Sequence, residues 1–287
     1  MTRRGLFGLI YAGLMGALGY GPAAQARGRQ PRNWKNWAVF YGWDLDATKF
    51  RGYDLIVLDP GFRGSLATVA QWGASLLGYL SVGEVRQTTD LYDIAGSASA
   101  LLSESPNWPG VFYVDVRSSK WRHAMVERAV ELVTVRGFNG VFLDTLDSPP
   151  YLETTEPVGF VGMGRAAIEI VRDIRRALPD ALIVVNRGYL LLPDLVEYLD
   201  GVVAESLITT YSVNGFEWVQ PEIVDQQLEL LLPAKRQKPP VHILSLDYWD
   251  PQDPQTIKEI YARERSIGHL PYVSDILLGE VVPEPGG

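Results

Sequence analysis

The sequence predicts an α/β protein, a single (β/α)8 TIM barrel with an extra C-terminal extended segment. Three observations carry that prediction. Short apolar runs recur from Trp37 onward, helical patterns separate them, and nearly every run ends in a polar residue. The runs are continuously apolar rather than alternating, as in a parallel sheet covered on both faces. Eight strands with their helices occupy about 250 residues in such a barrel. An open doubly wound sheet generally announces itself by a glycine-rich first turn, and none is present here.

The predicted strands, in order, are WAVFY (37–41), LIVLD (55–59), LLGYLSV (76–82), VFYVD (111–115), VFLD (141–144), LIVVN (182–186), VVAES (202–206) and VHILSLD (241–247). Between them, 121–135 carries Trp121, Met125, Ala129, Leu132 and Val133 at helical spacing. A second helix, 163–178, carries Ile168, Val171, Ile174 and Leu178 and stops at Pro179-Asp180. A last helix over 255–267 starts after Asp253-Pro254. PYVSD (271–275) is the extra segment, expected at the barrel edge or rim. No composition break or repeat divides the chain, so 36–280 is expected to be one domain, followed by a disordered tail over 281–287.

The N-terminus has a different character. Arg3 and Arg4 precede an apolar run over 6–20, and Ala24-Gln25-Ala26 supplies a small-x-small cleavage site. That order is the pattern of a secretory signal, and TRRGLF resembles the twin-arginine type. The expected organisation is a signal peptide over 1–26 and a short linker over 27–35, with the mature chain exported, periplasmic or secreted, and not stably inserted in a membrane. Losing Arg3 and Arg4 takes the formal charge from −8 to −10. So acidic a chain is a poor partner for a nucleic-acid backbone. With no cysteine, thiolate–metal and disulfide chemistry are excluded.

The ends of the predicted strands hold the candidate site: Tyr41 and Trp43, Asp59, Glu84, Asp115, Asp144, Asn186 and Arg187, Glu205, then Asp247. In a barrel such ends converge on the C-terminal face, where active sites of this fold lie. A single strand-end Asp often caps a helix or opens a turn; a ring drawn from nearly every strand is harder to assign to capping. Asp144 closes an apolar strand with Asp147 three residues on, and Glu205 closes another. A carboxyl buried at such a place resists ionisation, which suits a proton donor. Glu205 is therefore the expected proton donor and Asp144 the expected nucleophile or base, the two-carboxylate arrangement of glycoside hydrolysis. Tyr41, Trp43, Tyr248 and Trp249 are expected to offer faces to sugar rings.

GYLSVGE (78–84), GFNGVFLDTLD (137–147), VVNRG (184–188) and VVAES (202–206) together resemble glycoside hydrolase family 114, the endo-α-1,4-polygalactosaminidases, which are close in pattern to the hydrolase domain of Pel-type exopolysaccharide machinery. The similarity runs in order from about residue 37 to 275. It implies a metal-free barrel without cofactor that cleaves, with retention, a polymer rich in galactosamine or N-acetylgalactosamine. On the matching motifs, Asp144 takes the nucleophile position and Glu205 the acid/base position, with Asp59, Glu84, Asp147 and Asn186 lining the cleft. The chain departs from the pattern at Asn139 and Thr145, both expected beside the nucleophile. Two other functions fit parts of the sequence. A non-catalytic polysaccharide-binding barrel of an exopolysaccharide system would keep the fold without the chemistry. A metal-dependent deacetylase would need clustered ligands, whereas His123, His242 and His269 are widely separated.

Overall fold

The computed structural model of the chain describes residues 33–212 and 214–286. The expected signal, 1–26, and most of the expected linker lie outside the described residues.

Eight parallel strands form the barrel wall in chain order: β1 (Trp37–Phe40), β2 (Leu55–Leu58), β3 (Ser75–Ser81), β4 (Gly140–Asp144), β5 (Leu182–Asn186), β6 (Gly201–Glu205), β7 (His242–Tyr248) and β8 (Leu270–Ser274). β8 returns beside β1, where Trp37 Nε1 donates to Leu270 O at 2.8 Å. Tyr41 N likewise donates to Leu278 O at 2.8 Å. The predicted barrel is present, with one exchange of strands. The run 111–115 is not in the wall: Val111–Val114 is the middle strand of a three-stranded antiparallel sheet with Glu84–Arg86 and Leu101–Glu104. The expected extra segment is instead the eighth strand. An apolar run reads the same in a parallel wall and in an antiparallel flap. The helix preceding 270–274 was the better guide, because a barrel requires a strand after each helix.

The helices are α1 (Leu66–Ala70), α2 (Asp90–Ser97), α3 (Ser119–Thr134), α4 (Ser148–Thr155), α5 (Met163–Ala177), α6 (Leu192–Leu195), α7 (Pro221–Leu230), α8 (Leu232–Arg236) and α9 (Pro254–Ser266). Strand parity divides the core in two, because successive side chains point to opposite faces. Trp37, Val39, Leu55, Val57, Leu77, Phe142, Val184, Val203, Leu244 and Leu246 fill the barrel interior. Their strand neighbours Phe40, Ile56, Leu76, Leu80, Val141, Leu143, Ile183, Val185, Val202 and Ile243 pack outward, in one cluster with Trp121, Ile170, Ile174 and Ile257 of the helices.

Residues of the expected linker and tail pack against the barrel. Trp34, placed in the linker, is buried with its ring 4.8 Å from that of His242. In the expected tail Val282 is buried, and Glu284 makes a two-pronged ion pair with Arg265 at 2.5 and 2.6 Å. Asn139 is also displaced from expectation. It precedes β4 and accepts from Leu76 N at 2.8 Å, so it lies at the opposite end of the strand from Asp144.

Candidate active site

The inward parity that builds the core also places the polar residues at the mouth. Phe142 points inward, and so does Asp144; Val184 leads to Asn186, Val203 to Glu205, Leu246 to Tyr248, and Leu77 to Tyr79. At the end of three successive strands the next residue turns left-handed: Thr145 (φ 61°), Arg187 (φ 51°) and Ser206 (φ 55°). Non-glycine residues seldom adopt that region, least of all β-branched ones, and such strain gathers at functional sites. At Thr145 the turn aims the backbone N–H at Asp144 Oδ1, 2.7 Å away. The Thr145 hydroxyl accepts from Gly83 N at 2.8 Å and lies 2.9 Å from Ser81 Oγ. Gly83 permits this approach, since a Cβ there would stand 2.3 Å from Thr145 O.

Asn186 joins the two central carboxylates. Its Nδ2 donates to Asp144 Oδ1 at 3.0 Å and to Glu205 Oε2 at 2.5 Å, so those oxygens stand no farther apart than the sum, 5.5 Å. Tyr79 OH donates to Asp144 Oδ2 at 2.8 Å, and Tyr248 OH to Glu205 Oε1 at 2.5 Å. Burial raises the pKa of Glu205, and the nearby Asp144 charge raises it further. Burial and the same carboxylates hold the Tyr41, Tyr79 and Tyr248 phenols well above their ordinary range, so they remain donors. The Tyr41 and Tyr79 rings meet edge to face at 5.0 Å.

Around this centre, Asp59 accepts from Gly61 N at 2.6 Å and Glu84 from Ser148 Oγ at 2.7 Å. Asp147 lies 3.4 Å from Arg187 Nε. Burial shifts all three carboxyls upward. Trp43 is exposed, with the Arg63 guanidinium 5.4 Å from its ring centroid. Trp249 is half-buried, donates to Asp253 Oδ2 at 3.1 Å, and adjoins Phe216 and Trp218 of a hairpin formed by Thr209–Ser212 and Gly215–Trp218. That hairpin went unrecognised in the sequence, although the aromatic alternation of GFEW was a signal.

Two expected site residues are placed elsewhere. Asp115 closes no barrel strand: Arg117 Nε and Nη2 take its two oxygens at 2.8 Å each. Asp247 has the outward parity and is fully buried beneath α9, where it cannot touch a substrate. Of the histidines, His123 is exposed on α3, His242 meets the Trp34 ring at a tilt, and His269 is buried against Glu264. Among the described residues no group of three or more His, Cys, Asp or Glu is arranged to hold a metal ion.

A family model described as glycoside-hydrolase family GH114 matches residues 20–287. The chain belongs to that family. It is therefore an enzyme, a glycoside hydrolase. This family 114 hydrolase is similar to an uncharacterized protein of Thermotoga maritima, 23% identical over 80% of this chain and 77% of that protein. Another, from Deinococcus radiodurans, is 26% identical over 83% of this chain and 78% of its own length. Among solved structures, the glycoside hydrolase domain of PelA from Pseudomonas aeruginosa matches with a TM-score of 0.77 at 24% identity, covering 88% of this chain and 99% of that one. Ega3 of Aspergillus fumigatus, in complex with galactosamine, matches with a TM-score of 0.67 at 15% identity, covering 92% and 100%. Among the described residues no helix is long and apolar enough to cross a membrane.

Proposed function

We propose that the protein is an endo-acting hydrolase of galactosamine- or N-acetylgalactosamine-rich polysaccharide, with Asp144 as nucleophile, Glu205 as acid/base, and retention of anomeric configuration. The observation that carries this is the single amide nitrogen of Asn186 bonded to both carboxylates. Retaining enzymes hold their carboxyls about 5–5.5 Å apart, whereas inverting ones leave about 6.5–9.5 Å for a water. The two oxygens that Asn186 bridges lie within 5.5 Å of each other, which supports retention.

In this scheme Asp144 attacks the anomeric carbon while Glu205 protonates the departing glycosidic oxygen. Glu205, now ionised, then takes a proton from the water that cleaves the glycosyl–Asp144 ester. Its raised pKa supports the first step, and the Tyr248 and Asn186 bonds support the charged form needed in the second. Asp59, Glu84 and Asp147 would present negative charge to an amino sugar. The Ega3 structure contains galactosamine, which favours such a substrate here. Tyr41, Trp43 and Trp249 are assigned as sugar contacts, and Arg187 as the partner that holds Asp147. Export belongs to the same proposal, on the N-terminal pattern alone.

The test is to incubate the protein with a partly deacetylated galactosamine-rich polysaccharide and follow product sizes by mass spectrometry, with Asp144→Asn and Glu205→Gln in parallel. Oligosaccharides from the wild type that both substitutions abolish are expected. Binding without release would point to a carbohydrate-binding barrel, and cleavage that survives both substitutions would remove the assignment.

A further inference from the structure

Two adjacent residues at the exit of β7 face opposite ways. Tyr248 reaches into the mouth and donates to Glu205 Oε1. Asp247 points outward, fully buried, and its Oδ1 accepts from Ile208 N at 2.8 Å and Thr209 N at 2.7 Å. These amides lie three and four residues beyond Glu205. The β6–β7 ladder ends with Glu205 opposite Leu246, and the chain then leaves the sheet through the left-handed Ser206. Past that point Ser206 N still donates to Leu246 O at 2.8 Å, and the Asp247 carboxylate holds the next stretch.

The groups facing Asp247 come from the helix layer. Glu264 of α9 is fully buried and faces Asp247, whose pKa its charge raises. Its Oε2 lies 2.7 Å from His269 Nδ1. Lys235 of α8 is the nearby cation, and Ser245 is the neighbour on β7. Burial raises the pKa of both carboxyls, which favours a protonated form within the pair. Asp247 Oδ1 is left free to serve the two amides.

We propose that Asp247 is a positioning residue for Glu205: by fixing Ile208 and Thr209 against β7, it sets the contact between the Glu205 carboxyl and the Tyr248 hydroxyl. This rests on Glu205 being the acid/base, as proposed above. Thr209 is completely buried and Ile208 nearly so. Without Asp247 their amides have no acceptor, and a buried donor left unpaired forces the segment to move. The segment that moves is the one leading out of Glu205. The Tyr248 bond lowers the Glu205 pKa, so loosening it raises that pKa. The alkaline limb of the pH profile, where the acid loses its proton, then moves up.

The test is kcat/KM against pH on the galactosamine-rich polymer for wild type, Asp247→Ala, Asp247→Asn, Tyr248→Phe and the Asp247→Ala/Tyr248→Phe double variant. Asp247→Ala is expected to move the alkaline limb up by about 0.5–1 pH unit, and the double variant no further than Tyr248→Phe alone. Asp247→Asn keeps an oxygen that can accept from both amides, and should restore the wild-type limb. A folded Asp247→Ala with an unmoved limb overturns the proposal. Should that variant not fold, Asp247→Ser is read in the same way. Amide exchange in the wild type adds an independent check. Protection of Ile208 and Thr209 close to that of β7 supports the clamp, and exchange as fast as that of exposed Asn214 overturns it. If Glu205→Gln keeps full activity, the acid/base assignment itself has failed; if Glu205→Gln is inactive and only the limb stays put, the failure belongs to Asp247.

Discussion

The two ends of the barrel use the same residue types in opposite ways. At the floor, acids and amides tie elements together. Asp200 pairs with Arg175 at 2.6 Å and also accepts from Ile183 N. Asp54 accepts from Lys35 N, and Asn139 from Leu76 N. At the mouth, the described donors on Asp144 and Glu205 are two phenols, one shared amide and one backbone N–H, and none carries a formal charge. Asp200 is tied down by its guanidinium partner, whereas Asp144 and Glu205 are oriented by neutral donors alone. The barrel as a class divides in this way, with chemistry at the C-terminal face and stability at the other.

The contrast breaks most visibly at Asp144 and Glu205. Asp144→Asn or Glu205→Gln should lower kcat by at least about 10³-fold, with the melting temperature unchanged or higher, since reactive sites trade stability for function. A large loss of stability would place these acids with the floor. Arg175→Ala should do the reverse. Removing one member of a largely buried ion pair costs about 3–5 kcal/mol, readable by denaturant titration, while kcat of the folded fraction stays near wild type. Asn186→Ala, which withdraws the shared donor, should lower kcat about 10–150-fold, the equivalent of about 1.5–3 kcal/mol for a bond to a charged group. Asp115→Asn should do least: under about 1 kcal/mol and no change in turnover. Arg117 holds the Asp115 pKa below its ordinary value. That contribution is therefore present at neutral pH and lost as the pH falls through the depressed native pKa, so the variant and wild type should converge in acid.

Most of the barrel was legible because β1, β2, β4, β5 and β6 are buried on both faces and read as unbroken apolar runs. The misplaced strand shows the limit of that signal. Val111–Val114 is as apolar as a wall strand, yet its partners Glu84–Arg86 and Leu101–Glu104 are too short and polar to reveal the flap. At the mouth, strand ends pointed to Asp144, Asn186 and Glu205, whereas Asp247 shows that a strand end alone is insufficient. Applying parity along β7 separates inward Leu244, Leu246 and Tyr248 from outward Ser245 and Asp247. The left-handed turns at Thr145, Arg187 and Ser206 were beyond sequence reasoning, since none of these residue types favours that conformation.

The proposed retaining mechanism rests on Asn186 Nδ2 bonding one oxygen of each carboxylate. Its most direct test is proton NMR of the first products released from an α-linked galactosamine oligomer, recorded before the reducing ends mutarotate. Retention releases the α-anomer first. Initial release of the β-anomer would contradict retention and assign an inverting reaction, in which a water attacks from between more widely spaced carboxyls.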